Sequence, residues 1–540
     1  MSKPLIVARQ FMRTCRKYKN ELKFADSTGM ELTGGRALLM SLIFRRVLHR
    51  LLGKDEKNVG LLMPTSVYGV LANLGLALDR RTSVNLNYTF GVDTINYCIK
   101  RADIKHVITS KKVLDRFPGL KLDADLIIME ELPKQITLLD KLTGFIDAYI
   151  TPIICLDIVF GLNKVALDDL MTIFFTSGST GTPKGAMITQ GNIAANVGAF
   201  ADHIHFTEKD HLLATLPLFH AYGYTTEIWL PATSFVKGVY HYNPLEPKMV
   251  AAVARKYGCT TFPTTPTFLR NYLRRSEKQD YETIDVVICG AEKLPTDLID
   301  AWDAKFGVRP SEGYGTTELS PVVSTNVPKG RHSNYQDYLR EGTIGRPLNN
   351  LKVRITNPET GEVLPIDTPG MMEVSGPSVM KGYYNDPEKT NEVLKDGWYS
   401  TGDIATIDKD GFIKIVGRQS RISKIGGEMV PHILVEDEIN KIIAAALNDT
   451  AQDSADAEQL KVAVASVPDD RKGERLIILH TALPQTPDVI CKALQNAGLP
   501  NLWIPSPNDF HQVETIPVLG TGKLDLCAVK DTVKKVTSNE

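Results

Sequence analysis

The feature that most limits what this chain can become is the run Leu170–Thr176 (LMTIFFT), largely apolar and a candidate buried strand, which passes directly into Thr176-Ser-Gly-Ser-Thr-Gly-Thr-Pro-Lys-Gly185. Those ten residues hold three glycines, five hydroxyl side chains, one proline and one lysine. Glycine lets the backbone turn tightly and bring its N–H groups close to a ligand. The hydroxyls of Thr176, Ser177, Ser179, Thr180 and Thr182 can donate to phosphate oxygens, and Lys184 adds a point charge. The segment suits a polyphosphate; a plain connecting loop is the alternative. Three familiar loops do not match. A Walker loop needs Gly-Lys-Ser/Thr after four spacer residues, whereas Gly178 and Gly181 stand too close and Gly185 follows Lys184. The dinucleotide fingerprint is not met either. A nucleophile elbow would need glycine at 177, where serine stands.

A chain of 540 residues is too long for one hydrophobic core, which usually serves about 50–250 residues. Two or more packed units are expected. Apolar residues make up 43% and charged residues 23%, as in soluble globular proteins. The net charge of -1 gives no basic surface for nucleic acid. Seven scattered cysteines with no Cys-x-x-Cys pair argue against a disulfide framework and a cysteine-rich zinc site, and fit a reducing cytoplasm. No run approaches the ~20 apolar residues of a membrane span. Arg36–Leu52 is apolar with a basic face; it could lie on an anionic membrane, but a helix packed on its own domain is the expectation.

Up to about residue 290, short apolar runs alternate with amphipathic segments, as in Asn58–Met63 followed by Tyr68–Leu78. This predicts an α/β fold of βα units on largely parallel sheets. Residues 341–417 read as a small, mostly antiparallel β unit, with runs such as Val353–Thr356 and Met372–Ser375. From Arg418 a third unit follows: a helix near Val435–Leu447, strands near Lys461–Val467 and Leu476–Thr481, and a helix near Asp488–Ala497. Asn448–Glu458 reads as a solvated loop. The expected division is a large domain, 1–417, and a small mobile α+β domain, 418–540.

Further motifs recur along the chain: Gly290-Ala-Glu292, Gly313-Tyr-Gly-Thr-Thr-Glu318, Trp398-Tyr-Ser-Thr-Gly-Asp403, Gly417-Arg418, Lys424-Ile-Gly-Gly-Glu428 and Gly520-Thr-Gly-Lys523. Together with Thr176–Gly185 they resemble, in order and spread, the signature motifs of the adenylate-forming superfamily: acyl-CoA synthetases, peptide-synthetase adenylation domains and luciferases. The resemblance implies ATP and Mg2+ as cofactors and an acyl-adenylate intermediate. It implies that Thr176–Lys184 cradles phosphates and that Gly290, Ala291 and Glu292 line the base. Tyr314, between Gly313 and Gly315, would stack on adenine, with Thr316 and Thr317 beside the phosphates. Glu318 would hold magnesium, with Thr176 beside it. Asp403 and Arg418 would hold the ribose. Lys523 would reach the α-phosphate and carboxylate during adenylation, and Lys424 would serve the second half-reaction. His220, in Leu216-Pro-Leu-Phe-His220, would gate or orient the acyl carboxylate. The pivot three residues after Arg418 is Arg421, where Asp or Lys is commoner.

Within that superfamily, Cys289-Gly-Ala-Glu-Lys-Leu294, Lys424-Ile-Gly-Gly-Glu-Met-Val430 and Pro517-Val-Leu-Gly520 are similar to the acyl-acyl carrier protein synthetase part of the bacterial bifunctional lysophospholipid acyltransferase/synthetase. This implies a long-chain fatty acid substrate and the phosphopantetheine thiol of acyl carrier protein as acceptor, with coenzyme A as the alternative. Arg471–Arg475 and Lys530–Lys535 are candidate docking patches for an acidic carrier. Lys329–Arg340 is longer than the resemblance leads one to expect. A cytoplasmic protein, with peripheral contact at the inner membrane as a possibility, is the implied location.

Overall fold

The computed structural model describes residues 6–176, 182–332, 334, 337–426, 428–448, 461–469, 471–518 and 524–537. The fold is α/β, with its large sheets in the N-terminal portion and a smaller C-terminal portion. Packing divides the chain into two compact units: Met1–Val353 with Val374–Tyr399 and Asp410–Ile413, and Arg354–Glu373 with Ser400–Lys409 and Lys414–Glu540. The chain passes from one to the other inside the strands Lys352–Thr356, Gly370–Ser375, Trp398–Ile407 and Ile413–Arg418, and once more between Lys409 and Asp410, outside any strand. Residues 341–417 are therefore shared between the two units.

The first unit contains two large sheets. In the nine-stranded sheet, Leu22–Asp26, Lys237–Tyr240, His211–Ala214, Thr261–Thr264, Val286–Cys289 and Ser311–Gly315 run parallel, and antiparallel strands close both edges. In the seven-stranded sheet, Leu170–Thr176, Thr82–Asn85, Asn58–Leu62, His106–Thr109 and Asp125–Ile128 are parallel. Lys184–Thr189 and then Gly382–Tyr383 extend it antiparallel. Strands buried on both faces read as unbroken apolar runs, which is why Asn58–Leu62 is buried along its whole length. Helix Val67–Leu78 opens on a Ser66 cap and is apolar nearly all round, so every residue but Tyr68 is buried.

The segment Arg36–Leu52 falls in helix Gly34–Leu51, whose apolar face is covered by protein. Its Phe44 ring lies against Gly75, and its Leu39 and Ile43 lie against Gly144, positions where a Cβ would collide. Among the described residues no helix is long and apolar enough to cross a membrane.

In the second unit the hairpin Ile422–Ile425/Glu428–Pro431 leads into helix His432–Asn448. A sheet of Val462–Asp469, Gly473–His480 and Phe510–Gln512 follows, with helices Pro487–Asn496 and Leu526–Thr537. The strand alternation sorts side chains onto two faces. Val464 and Ile478 meet Val435, Ile439 and Ile490 on one; Ala463 and Ile477 meet Val529 and Val533 on the other. Most of the Asn448–Glu458 loop lies outside the described residues.

Candidate functional site

Thr176 and Lys184 face each other as paired residues of antiparallel strands, so the glycine-rich loop closes a hairpin. Ser177, Gly178, Ser179, Thr180 and Gly181 lie outside the described residues. Thr182 is exposed and Pro183 buried. Lys184 places its Nζ 5.5 Å from the centre of the Tyr383 ring. Tyr383 is itself paired with Ala186 across the sheet edge. Its hydroxyl donates to Glu318 Oε1 at 2.9 Å. Two motifs far apart in sequence, the loop base and the Glu318 turn, are thus joined by a tyrosine that neither contains.

Glu318 is fixed by the backbone around it. Strand Ser311–Gly315 ends where only glycine fits: a Cβ at Gly315 would lie 2.2 Å from the Pro321 carbonyl oxygen. Thr316 N–H bonds that oxygen at 3.1 Å, and Thr317–Leu319 forms one 3-10 turn. Asn196, on helix Gln190–Ile204, donates to the carbonyls of Leu319 and Val322 and accepts Val322 N–H. Met380 N–H bonds the Glu318 carbonyl at 2.8 Å. Burial, then the Glu318 charge, pushes the phenols of Tyr383 and Tyr399 up, so both stay neutral.

A second wall brings together Gly290, Gly313 and the segment after His220. A Cβ on Gly290 would lie 3.2 Å from the Tyr222 ring and 3.7 Å from the Gly313 carbonyl oxygen. Tyr222 donates to Ile288 O at 3.1 Å. Ala291 takes a left-handed φ of 69°. Glu292 accepts from Thr267 Oγ1 at 2.7 Å and, at 3.3 Å, from its N–H. Tyr314 is half-buried, opposite Ser324. His220 is exposed, its ring 4.8 Å from Phe219. Arg331 pins the Lys329–Arg340 segment to Asp210 at 2.7 Å and Asp285 at 2.6 Å.

Three acidic or phenolic positions were given no role by the sequence alone. Tyr383 lies outside every quoted motif. Glu312 directly precedes Gly313, and burial pushes its carboxyl up to about 7. Glu227 lies in a π-helical turn, Tyr224–Trp229, a form often found at functional sites. It is fully buried. Its Oε1 accepts N–H groups of Thr215 and Leu216, each at 3.2 Å, while Oε2 has no partner among the described residues. Burial holds this carboxyl far above the usual range. Glu227 thus pins the start of Leu216–His220. The signal that could have shown it is one acid inside the apolar stretch Ile228–Ala232 and its preceding turn.

In the second unit Asp403 and Arg418 sit together, Arg418 Nε 2.9 Å from Asp403 Oδ1, the arginine exposed and the aspartate buried. Gly402 takes a φ of 76°, and Thr401 Oγ1 accepts Asp403 N–H at 3.1 Å. Arg421 pairs with Glu436, whose Oε1 also accepts Val464 N–H. Lys424 is in register with Met429. Lys523 lies outside the described residues.

The groups of the first unit around Glu318 fit a magnesium ion on a phosphate. Magnesium bound to a nucleotide takes one or two protein carboxylates and keeps phosphate and water ligands, so the single carboxylate of Glu318 is enough. The Thr316 hydroxyl, buried beside the turn without a partner among the described residues, is a donor left over for a ligand. The AMP-binding enzyme family matches residues 11–384. The chain belongs to this family. AMP-binding enzymes use ATP, forming acyl-AMP, with Mg2+. Among curated relatives, the long-chain-fatty-acid–CoA ligase of Bacillus subtilis is 31% identical over 370 residues, 66% of this chain and 60% of that protein. The 4-coumarate-CoA ligase 1 of Narcissus pseudonarcissus is 28% identical over 79% of this chain and 75% of its own length. The fold is that of ATP-bound MatB from Rhodopseudomonas palustris, with a TM-score of 0.78 at 24% identity, over 98% of this chain and 99% of that one.

Proposed function

We propose that this AMP-binding enzyme is an AMP-forming acid–thiol ligase that adenylates a long-chain fatty acid and passes the acyl group to the phosphopantetheine thiol of acyl carrier protein. The observation that carries the adenylation is the connection from the Thr176/Lys184 hairpin base through Tyr383 to Glu318. It joins a cation, a neutral phenol and a carboxylate beside Thr176 and Lys184, the two residues that bracket the glycine-rich segment. The fatty acid is supported by the likeness to the Bacillus long-chain-fatty-acid–CoA ligase.

The residues act by position and charge. Thr176 to Lys184 hold the phosphates. Gly290, Ala291, Glu292 and Tyr314 receive the base, with Thr317 near the α-phosphate. Glu318, with Thr176 beside it, holds magnesium, which when bound neutralises phosphate charge. Asp403 and Arg418 take the ribose hydroxyls. The fatty-acid carboxylate, oriented by His220, attacks the α-phosphorus, and the bond to pyrophosphate breaks. Lys523 stabilises the charge that builds on both partners. The thiol then attacks the acyl carbon and AMP leaves, with Lys424 serving this half.

The carrier protein as acceptor rests on the sequence resemblance, and on exposed Arg471, Lys472, Lys530 and Lys534 as a basic surface for an acidic partner. Coenzyme A is the second reading, favoured by the names of the curated relatives. Palmitate-dependent ATP–pyrophosphate exchange tests the first half-reaction; its absence overturns the proposal. Thioester formation with carrier protein against coenzyme A decides the acceptor.

A further inference from the structure

Surface helices normally turn their apolar stripe inward. Helix Leu138–Tyr149 does the reverse. Its buried positions are Asp140, Gly144 and Ala148, four residues apart. Its outward positions are Leu138, Leu139, Leu142, Phe145 and Ile146, with Leu138 83% and Leu142 56% exposed, while the part-exposed Tyr149 ring lies against Gly35. The inward face is polar or small for local reasons. Gly144 admits Leu39 and Ile43, and the Asp140 carboxylate accepts Arg50 at 2.7 Å and Arg46 at 3.1 Å. After Ile150-Thr-Pro152 the next helix, Ile153–Val159, buries Leu156 but again leaves most of its aliphatic side chains outside. Ile154, Ile158 and Val159 are exposed, while Asp157 is buried and paired with Arg9 at 2.8 Å.

The result is a run of exposed aliphatic side chains on two consecutive helices, denser than single scattered surface residues. Charge is sorted with equal consistency. Between residues 134 and 164 the exposed charged side chains are Lys134, Lys141 and Lys164. Asp140 and Asp157 point inward, and half-buried Asp147 accepts Thr151 Oγ1 at 3.0 Å. The preceding Glu130 and Glu131 turn to Lys111.

We propose that the outward face of helices 138–149 and 153–159 rests on an anionic lipid bilayer, its aliphatic side chains at the acyl boundary and its lysines on the headgroup phosphates. Charge selects this occupant. A second copy packed on the same face would bring exposed lysines near like charge, with no exposed acid between residues 134 and 164 to pair them. Protein hot spots are built on Trp, Tyr and Arg, whereas this face is mainly Leu, Ile and Val. The proposal is independent of which acid or thiol the enzyme uses.

The full-length protein is sedimented with phosphatidylglycerol and with phosphatidylcholine vesicles. Binding to the anionic vesicles is expected. The pair Leu142→Glu with Phe145→Glu, both at exposed positions, should lower the bound fraction roughly tenfold or more. Lys134→Gln or Lys141→Gln should each weaken anionic binding about fivefold and leave zwitterionic binding unchanged. Circular dichroism and ATP–pyrophosphate exchange with a soluble short-chain acid should not change, which separates a lost surface from a lost fold. No binding to either vesicle, or binding undiminished in the double variant, overturns the proposal. So does a solution dimer that the double variant converts to monomer, since a second copy would then cover the face.

Discussion

Glu318 and Glu227 are glutamates of the same unit, placed by opposite means. Glu318 sits on a single 3-10 turn, half-buried, with its backbone fastened from three sides and its carboxylate taking one phenol hydroxyl. Glu227 is sealed in a π-helical turn; its carboxyl, kept toward the neutral form by burial, receives two backbone N–H groups. The same side chain thus meets a tyrosine hydroxyl at a part-exposed turn in one place and serves as a sealed acceptor of backbone N–H groups in the other. Solvent access and the partners on offer make the difference, not the residue type.

The sharpest way to break this comparison is to remove charge from the first glutamate. Glu318→Gln is expected to lower fatty-acid-dependent ATP–pyrophosphate exchange by roughly 10²–10³-fold with little change in melting temperature. A loss below tenfold would return Glu318 to a structural role. Lys523→Ala should give a comparable loss of adenylation while leaving thioester formation from supplied acyl-adenylate largely intact; equal loss of both would reject its assignment to the first half-reaction. Glu227→Leu removes the acceptor for two buried N–H groups and should cost about 2–3 kcal/mol of unfolding free energy. Glu227→Gln keeps an acceptor without a charge and should cost less than about 1 kcal/mol. If both substitutions cost the same in urea denaturation, the neutral-strut reading fails.

Glu312 offers a milder, pH-resolved test. The folded protein keeps this proton up to about pH 7, whereas an unburied glutamate releases it near 4.5. The folded state therefore binds more protons between those values, and stability falls as pH rises across that window. Glu312→Gln should remove a decline on the order of 1–2 kcal/mol between pH 5 and 8. The smallest effect is expected from Tyr383→Phe, which deletes one hydrogen bond to Glu318 and should slow exchange about fivefold.

Legibility followed the kind of information each element carries. Strands such as Leu170–Thr176 and His106–Thr109 were readable because burial on both faces writes itself as apolar runs. The helix His432–Asn448 and strand Gly473–His480 lie close to their expected positions for the same reason. The hairpin at the glycine-rich loop was not readable: an apolar run does not say whether its neighbour lies parallel or antiparallel. Glu318 stood in a motif of fixed spacing. Tyr383 reaches it only through sheet pairing, 65 residues further along the chain, and no local pattern records that. Glu227 was hidden because its function is to satisfy backbone groups, a need that exists only after folding. The outward apolar stripe of Leu138–Tyr149 has a helical period in sequence, but period alone does not say which side faces the core.

Asn196 has a consequence beyond geometry. By tying Leu319, Val322 and Ser378 with one amide, it takes away the freedom of the turn that carries Glu318. The loss of configurational entropy at this corner is incurred once, when the chain folds, and not again each time a ligand arrives. Order at this corner is therefore established by folding itself, through contacts internal to the chain.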